Sequence, residues 1–163
     1  MHYVMKYHSP LGEITVASDG ENIVGLWLEG QKYFAATLNG GLREVDIPVF
    51  DTVRRWLDVY FSGSEPTVTP PLAPEGSEFR RAVWAQLLRI PYGETVSYGE
   101  IARRLESETG RRTSARAVGG AVGHNPISII IPCHRVVGAD GSLTGYAGGV
   151  DKKIKLLELE KAI

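Results

Sequence analysis

The 163-residue sequence is poor in sulfur: it holds one cysteine, Cys133, and two methionines. A single thiol cannot close an intramolecular disulfide or build a cysteine-based zinc site, and it suits a reducing compartment. Long apolar runs are also missing, so no stretch reaches membrane-spanning length. The opening Met1-His2-Tyr3-Val4-Met5-Lys6 lacks the basic-then-apolar pattern of an export signal. These absences predict a soluble, cytoplasmic protein with no membrane partner. His2 and His8 are the only candidate metal ligands in residues 1–65, and they read as ordinary strand or surface residues. No metal and no cofactor is expected, and no internal repeat is evident.

Net charge is small as well, at −1, but its distribution is uneven. Residues 1–76 carry 5 Lys/Arg against 10 Asp/Glu, whereas residues 77–163 carry 13 against 9. The second part is thus the one to examine for a polyanionic partner, with a solvated basic helix face as the alternative. A 43% hydrophobic content is enough for one core or two small ones.

Residues 2–8 and 13–18, joined by Ser9-Pro10-Leu11-Gly12, read as a β-hairpin, continued by Ile23–Leu28 after the Asp19-Gly20 turn. Val49, Val53, Trp56, Leu57 and Tyr60 give residues 48–62 a helical period. Pro66–Gly76 is a proline-rich connector and marks a boundary between a domain at 1–76 and another at 77–163. Beyond it, Phe79–Arg89 reads as an amphipathic helix with Phe79, Val83, Leu87 and Ile90 on one side. Ser97 and Glu100 form a capping-box pair that opens a helix through Leu105, and Ser114–Gly123 reads as a second. Two short helices with arginines around the second suggest a helix-turn-helix. Ala117, Gly119, Gly120 and Ala121 weaken that second helix but permit close approach of another surface, whether a partner or the protein's own core. The elements predict an α/β (α+β) protein: a small N-terminal antiparallel sheet with a helix, then a mainly helical part.

The chemistry concentrates in Ile129-Ile130-Ile131-Pro132-Cys133-His134-Arg135-Val136-Val137. Isoleucines and valines on either side read as buried, β-prone backbone, and Pro132 forces a bend because it cannot donate to a ladder. A lone cysteine is ordinarily a small core residue, but one held beside a base is the minimum apparatus of a sulfur nucleophile. Neighbours along extended chain face apart, so His134 cannot simply lean on Cys133. In the last helix, Asp151–Ile163 with Asp151 as its cap, Glu160 falls about 240° from Ile154, inside the arc of Leu156, Leu157, Leu159 and Ile163. A carboxylate aimed inward needs a partner. Lys153, about 260° round on the same scale, is one; the His134 imidazole is the other.

With these residues assembled, the chain resembles the O6-alkylguanine-DNA alkyltransferases, the methylated-DNA–protein-cysteine methyltransferase family. The resemblance is carried by Ile131-Pro132-Cys133-His134-Arg135-Val136 and by Arg116-Ala117-Val118-Gly119-Gly120-Ala121 followed by Asn125-Pro126. Gly93-Glu94, Val96-Ser97-Tyr98, Gly145-Tyr146-Ala147-Gly148-Gly149 and Glu160 also match in order and spacing. It spans most of residues 79–160. It implies a ribonuclease H-like N-terminal domain and DNA repair by direct reversal. An alkyl group on guanine O6, with O4-alkylthymine as a further candidate, would pass irreversibly to Cys133, one turnover per molecule. His134, through a water, would take the thiol proton, oriented by Glu160; Asn125 would brace the turn before the active-site segment. Tyr98 would protonate the leaving guanine at N3. The carbonyls of Cys133 and Val136 would read its exocyclic amine under a lid at Tyr146, Ala147 and Gly148. Arg116 would replace the everted nucleotide in the stack, with Ala117, Gly119, Gly120, Ser97 and Arg135 at the DNA. The implied partner is double-stranded DNA bound through its minor groove by a monomer.

Departures from the family pattern are a longer turn at Glu106–Thr113 and Ala147 in place of a serine. The cysteines of the zinc site found in some relatives are missing. The alternatives are a non-catalytic alkyl-base sensor, which resembles the family but has no nucleophile, and a plain helix-turn-helix regulator, which needs neither Cys133 nor Glu160. A cysteine hydrolase is a third, without an oxyanion-hole signature.

Overall fold

In a computed structural model, residues 1–38, 40–143 and 145–163 are described. They divide into two compact units: residues 1–75 with 126–128, and residues 76–125 with 129–163.

The first unit is built on a sheet of order β3-β2-β1-β4. Strand β1 (His2–Ser9) turns through Pro10 and Leu11 into β2 (Gly12–Ser18), pairing from Ser9↔Gly12 to Tyr3↔Ser18. Strand β3 (Ile23–Leu28) is buried at every position and pairs antiparallel with β2, with a register shift at Ala17/Ser18. The expected all-antiparallel sheet needs one correction: β4 (Leu42–Glu44) lies parallel to β1, with His2 opposite Leu42. The free edge of β3 is covered by two proline-bearing segments. The Ile23 N–H donates to the Pro71 carbonyl and the Leu26 N–H to that of Pro126, both at 2.8 Å. A proline lacks only the donor, so it serves on an edge where its carbonyl is what the neighbour needs. Part of the supposed connector is therefore sheet, and residues 126–128, expected in the C-terminal part, belong to this unit. Helix α1 (Pro48–Phe61) buries Phe50, Val53, Trp56, Leu57 and Tyr60; Phe50 takes the inward place expected of Val49.

The second unit is mainly helical. Helix α2 (Glu78–Leu87) is capped by Ser77, whose hydroxyl accepts from the Arg80 N–H. Its inward face is Val83, Trp84 and Leu87, while Phe79, expected inside, is 39% exposed. Trp84 is buried instead and donates its indole N–H to the Ala121 carbonyl at 2.8 Å. Strand β5 (Val96–Ser97) leads into α3 (Tyr98–Thr109), which runs four residues past the expected end at Leu105 and stops at Gly110, φ 71°. Ser97 caps it as expected, accepting from the Glu100 N–H at 3.1 Å, but the Glu100 carboxylate engages Arg104 at 2.8 Å. Helix α4 (Ala115–Gly123) is capped by Ser114. The isoleucines 129–131 are buried but form turns, not strand, and Ile129 is held at φ 69°. That conformation is costly for a β-branched residue and persists where the surroundings over-determine it. A single 3-10 turn at Cys133–Arg135 follows, then β6 (Val136–Val137), which pairs parallel with β5. Helix α5 (Val150–Leu159) starts from Gly149, with Asp151 in its first turn rather than as its cap.

Candidate active site

Pro132 ends the buried isoleucine run and the backbone closes at once into the 3-10 turn, with the Val136 N–H donating back to the Cys133 carbonyl. This bent backbone removes the obstacle that extended chain posed to Cys133 and His134 acting together. Cys133 is 4% exposed. Burial pushes its thiol pKa up, opposed by side-chain hydrogen bonds from Asn125 and Tyr146 and by the charge of Lys153. Asn125 also donates to the Ile131 carbonyl at 2.8 Å, tying the end of α4 to the segment that carries the sulfur.

His134 is fully buried, and its Nε2 lies 2.6 Å from Oε2 of Glu160. A carboxylate only accepts, so Nε2 carries the proton and Nδ1 is the basic nitrogen of the ring. Burial holds the imidazole pKa below its ordinary value, against the hydrogen bond and charge of Glu160. Glu160, the cap residue of α5, accepts from Nε of Arg135 at 2.8 Å, from its Nη2 at 3.2 Å and from the Gly93 N–H at 3.2 Å. Arg135 spends its remaining reach on the Ile90 carbonyl at 2.7 Å and lies 5.7 Å over the Tyr92 ring. Such a two-point ion pair fixes the carboxylate in plane and in charge.

This arrangement corrects one expectation and decides between two alternatives. Arg135, expected at the DNA, is buried and committed to Glu160. Lys153, the alternative partner of Glu160, instead donates Nζ to the Val136 carbonyl at 2.6 Å. A carbonyl has two lone pairs, so Val136 keeps acceptor capacity for a base edge. The helical wheel already put Lys153 in the apolar arc; that phase was the available signal for a buried lysine, and of the two partners left open for Glu160 the structure gives the hydrogen bond to His134. The sequence singled out Gly93 and Ile90 for other reasons, but not their contacts with Glu160 and Arg135, because both act there through backbone atoms.

Tyr98 opens α3, half-buried, with its hydroxyl pKa raised by burial and by the Cys133 charge. Its ring lies 3.8 Å from where a Cβ on Gly119 would stand. On α4, Val118, Ala121 and Val122 face inward while Ala115, Arg116, Ala117 and Gly120 are exposed. A Cβ on Gly120 would meet nothing within 4 Å, so the protein's own packing does not call for glycine there. That favours a surface kept low for a partner. Tyr146 reaches Cys133, and Ala147 and Gly148 follow it in the turn before α5. Among the described residues, no group of three or more His, Cys, Asp or Glu could hold a metal ion, and no helix is long and apolar enough to cross a membrane.

Residues 78–162 match the family model of the 6-O-methylguanine DNA methyltransferase DNA binding domain, and residues 2–74 match the ribonuclease-like domain of the same enzymes. The chain belongs to this family. It is 45% identical over 160 residues to the methylated-DNA–protein-cysteine methyltransferase of Haemophilus influenzae, covering 98% of this chain and 86% of that one. With the enzyme of that name from Methanosarcina acetivorans it shares 43% identity, covering 98% of each. The crystal structure of Mycobacterium tuberculosis OGT in complex with DNA superposes with a TM-score of 0.84 at 42% identity, covering 99% of this chain and 92% of that one. As a methyltransferase of this family, the chain has the expected mixed α/β architecture with a ribonuclease-like N-terminal part.

Proposed function

We propose that this methyltransferase repairs double-stranded DNA by moving the alkyl group of an O6-alkylguanine onto Cys133, permanently and once per molecule. The observation that carries the reading is the buried run of contacts His134–Glu160–Arg135, with Cys133 buried beside His134 on the same 3-10 turn. His134 accepts the thiol proton at Nδ1, by way of a water, and Glu160 stabilises the imidazolium that results. Sulfur then attacks the alkyl carbon in line: the carbon–sulfur bond forms as the carbon–oxygen bond breaks, and the electron pair leaves with guanine. Tyr98 donates its proton to guanine N3 and takes one back from solvent, while His134 gives the thiol's proton up to solvent; the net change is one proton moved from Cys133 to guanine. A neutral thioether holds its alkyl carbon far more firmly than guanine O6 does, because a thiolate leaves poorly, so the protein is consumed.

The reacting carbon is inaccessible in line while the base is stacked, which requires eversion at a cost of a few kcal/mol. Exposed Arg116 on the low α4 face is placed to fill the gap, and Ala117, Gly119 and Gly120 allow close approach to a minor groove. Tyr146, Ala147 and Gly148 close over the base, and Ser97 lies with the DNA-facing residues. The protein acts as a monomer in the cytoplasm, with residues 1–76 as support for the DNA-binding part at 77–163. The deciding measurement is the intact-protein mass after incubation with O6-methylguanine duplex. One added methyl on Cys133 in stoichiometric yield is expected; an unmodified protein, or many turnovers, would overturn the reading.

A further inference from the structure

Lys153 is fully buried, inside the first turns of α5, and the reaction scheme above makes no use of it. Burying an ammonium is costly unless charge compensates it. Its hydrogen bond to the Val136 carbonyl supplies a dipole but no negative charge. Glu160, the one buried carboxylate among the described residues, is already matched by Arg135. With Cys133 as a thiol and His134 neutral, the buried cluster therefore carries one positive charge in excess. Ionising Cys133 makes it neutral.

We propose that Lys153 is the resident counter-ion of the Cys133 sulfur in its anionic form, a positioning residue anchored to the Val136 carbonyl three residues beyond the nucleophile. This rests on the reading of Cys133 as the alkyl acceptor. The 3-10 turn is the physical link: the Val136 N–H holds the Cys133 carbonyl, and Lys153 holds Val136 from the other side. The mutual influence of the two groups agrees. Burial dominates both, raising the thiol pKa and lowering that of the amine, while the charge of each acts on the other in the direction of ionisation. Tyr98 from α3, Tyr146 from the turn before α5 and His134 from the 3-10 turn itself are the other titratable groups around the sulfur. None of them brings a standing positive charge when neutral, so Lys153 is the group that lowers the free energy of the thiolate before alkyl transfer begins.

A single cysteine makes the test direct. With [13Cβ]cysteine incorporated, one resonance reports ionisation of Cys133 as pH is raised, without DNA. Lys153→Met and Lys153→Gln should move the midpoint up by at least one pH unit, tenfold less thiolate at any pH well below it. Lys153→Arg should stay within a few tenths of a unit of the unaltered protein. Because Lys153→Gln keeps a donor for the Val136 carbonyl without the charge, a wild-type midpoint in that variant overturns the proposal. If the neutral variants do not fold, the unaltered protein still decides: the Lys153 15Nζ resonance must shift at the Cys133 midpoint, and an indifferent resonance refutes the counter-ion role. Stoichiometric methylation of Cys133 in the unaltered protein is measured separately, so failure of the alkyl-transfer reading is distinguishable from failure of this one.

Discussion

The two units bury different kinds of residue. Polar side chains buried in the first unit are neutral: Thr15, Ser18, Gln31 and Ser128. Its ion pairs, such as Arg54 with Asp46 and Asp51, stay at the surface. Among the described residues, the second unit holds every buried Cys, His, Arg, Lys, Asp and Glu: Cys133, His134, Arg135, Lys153 and Glu160. Apolar packing over a sheet supports itself through area alone. A buried charge cluster does not; each member is tolerable only because another is present, so it is kept for what it does chemically rather than for stability. Buried groups of the first unit thus serve packing, and those of the second form a preorganised polar cluster.

That contrast can be broken most severely at the sulfur. Cys133→Ala should abolish methyl transfer, measured as protein mass gain, while damaged duplex is still bound in a gel-shift assay; residual transfer would exclude this nucleophile. Next in size is Arg135→Ala, which leaves the Glu160 carboxylate without its cation and should cost about 3–5 kcal/mol in urea unfolding. Arg54→Ala, at the exposed pair of the other unit, should cost about 0–1 kcal/mol. Comparable losses at the two sites would end the distinction drawn between the units.

Arg116→Ala should slow repair in duplex by roughly tenfold or more, the equivalent of about 1.4 kcal/mol of lost eversion support, yet leave the reaction with free O6-benzylguanine unchanged. Equal losses on both substrates would remove its role in eversion. Acidification separates the units more gently. The folded-state pKa of His134 lies below its ordinary value, so the unfolded chain takes up a proton first. Stability contributed by this group is present above about pH 6.5 and declines as pH falls below it. Unfolding free energy measured between pH 7 and 5 should fall more steeply in the unaltered protein than in His134→Gln; parallel slopes would contradict the buried neutral ring. Ser97→Ala, the loss of one helix cap, should cost about 1 kcal/mol in urea unfolding, above the loss expected at Arg54.

Much of the architecture was legible because it rests on local rules. The hairpin follows from alternation around Pro10-Leu11, α1 from its helical period, and α3 and α4 from Ser97 and Ser114 at their starts. Glu160 was legible from helical phase: a carboxylate in an apolar arc must be matched. The misreadings share a cause. Phe79 satisfied the period of α2 yet is exposed, while Trp84, larger and with an N–H to place, is buried. Ile129–Ile131 have strand composition, yet composition cannot report the positive φ of Ile129 that turns the chain. Gly110 signals a helix end only once α3 is known to reach it.

What the amino-acid order determined alone is which side chains are present and, from backbone periods of 3.6 and 2, which of them share a face of their own helix or strand. One thiol, one adjacent imidazole and one inward carboxylate were therefore set before any folding was considered. Tertiary structure alone decided who meets whom. Arg135 turned inward to Glu160 rather than outward to DNA, and Lys153 went to the Val136 carbonyl rather than to the carboxylate seven residues along its own helix. The physical reason is that a buried charge takes whichever partner can be brought within about 3 Å in good geometry, and that distance is set by elements far apart in the chain.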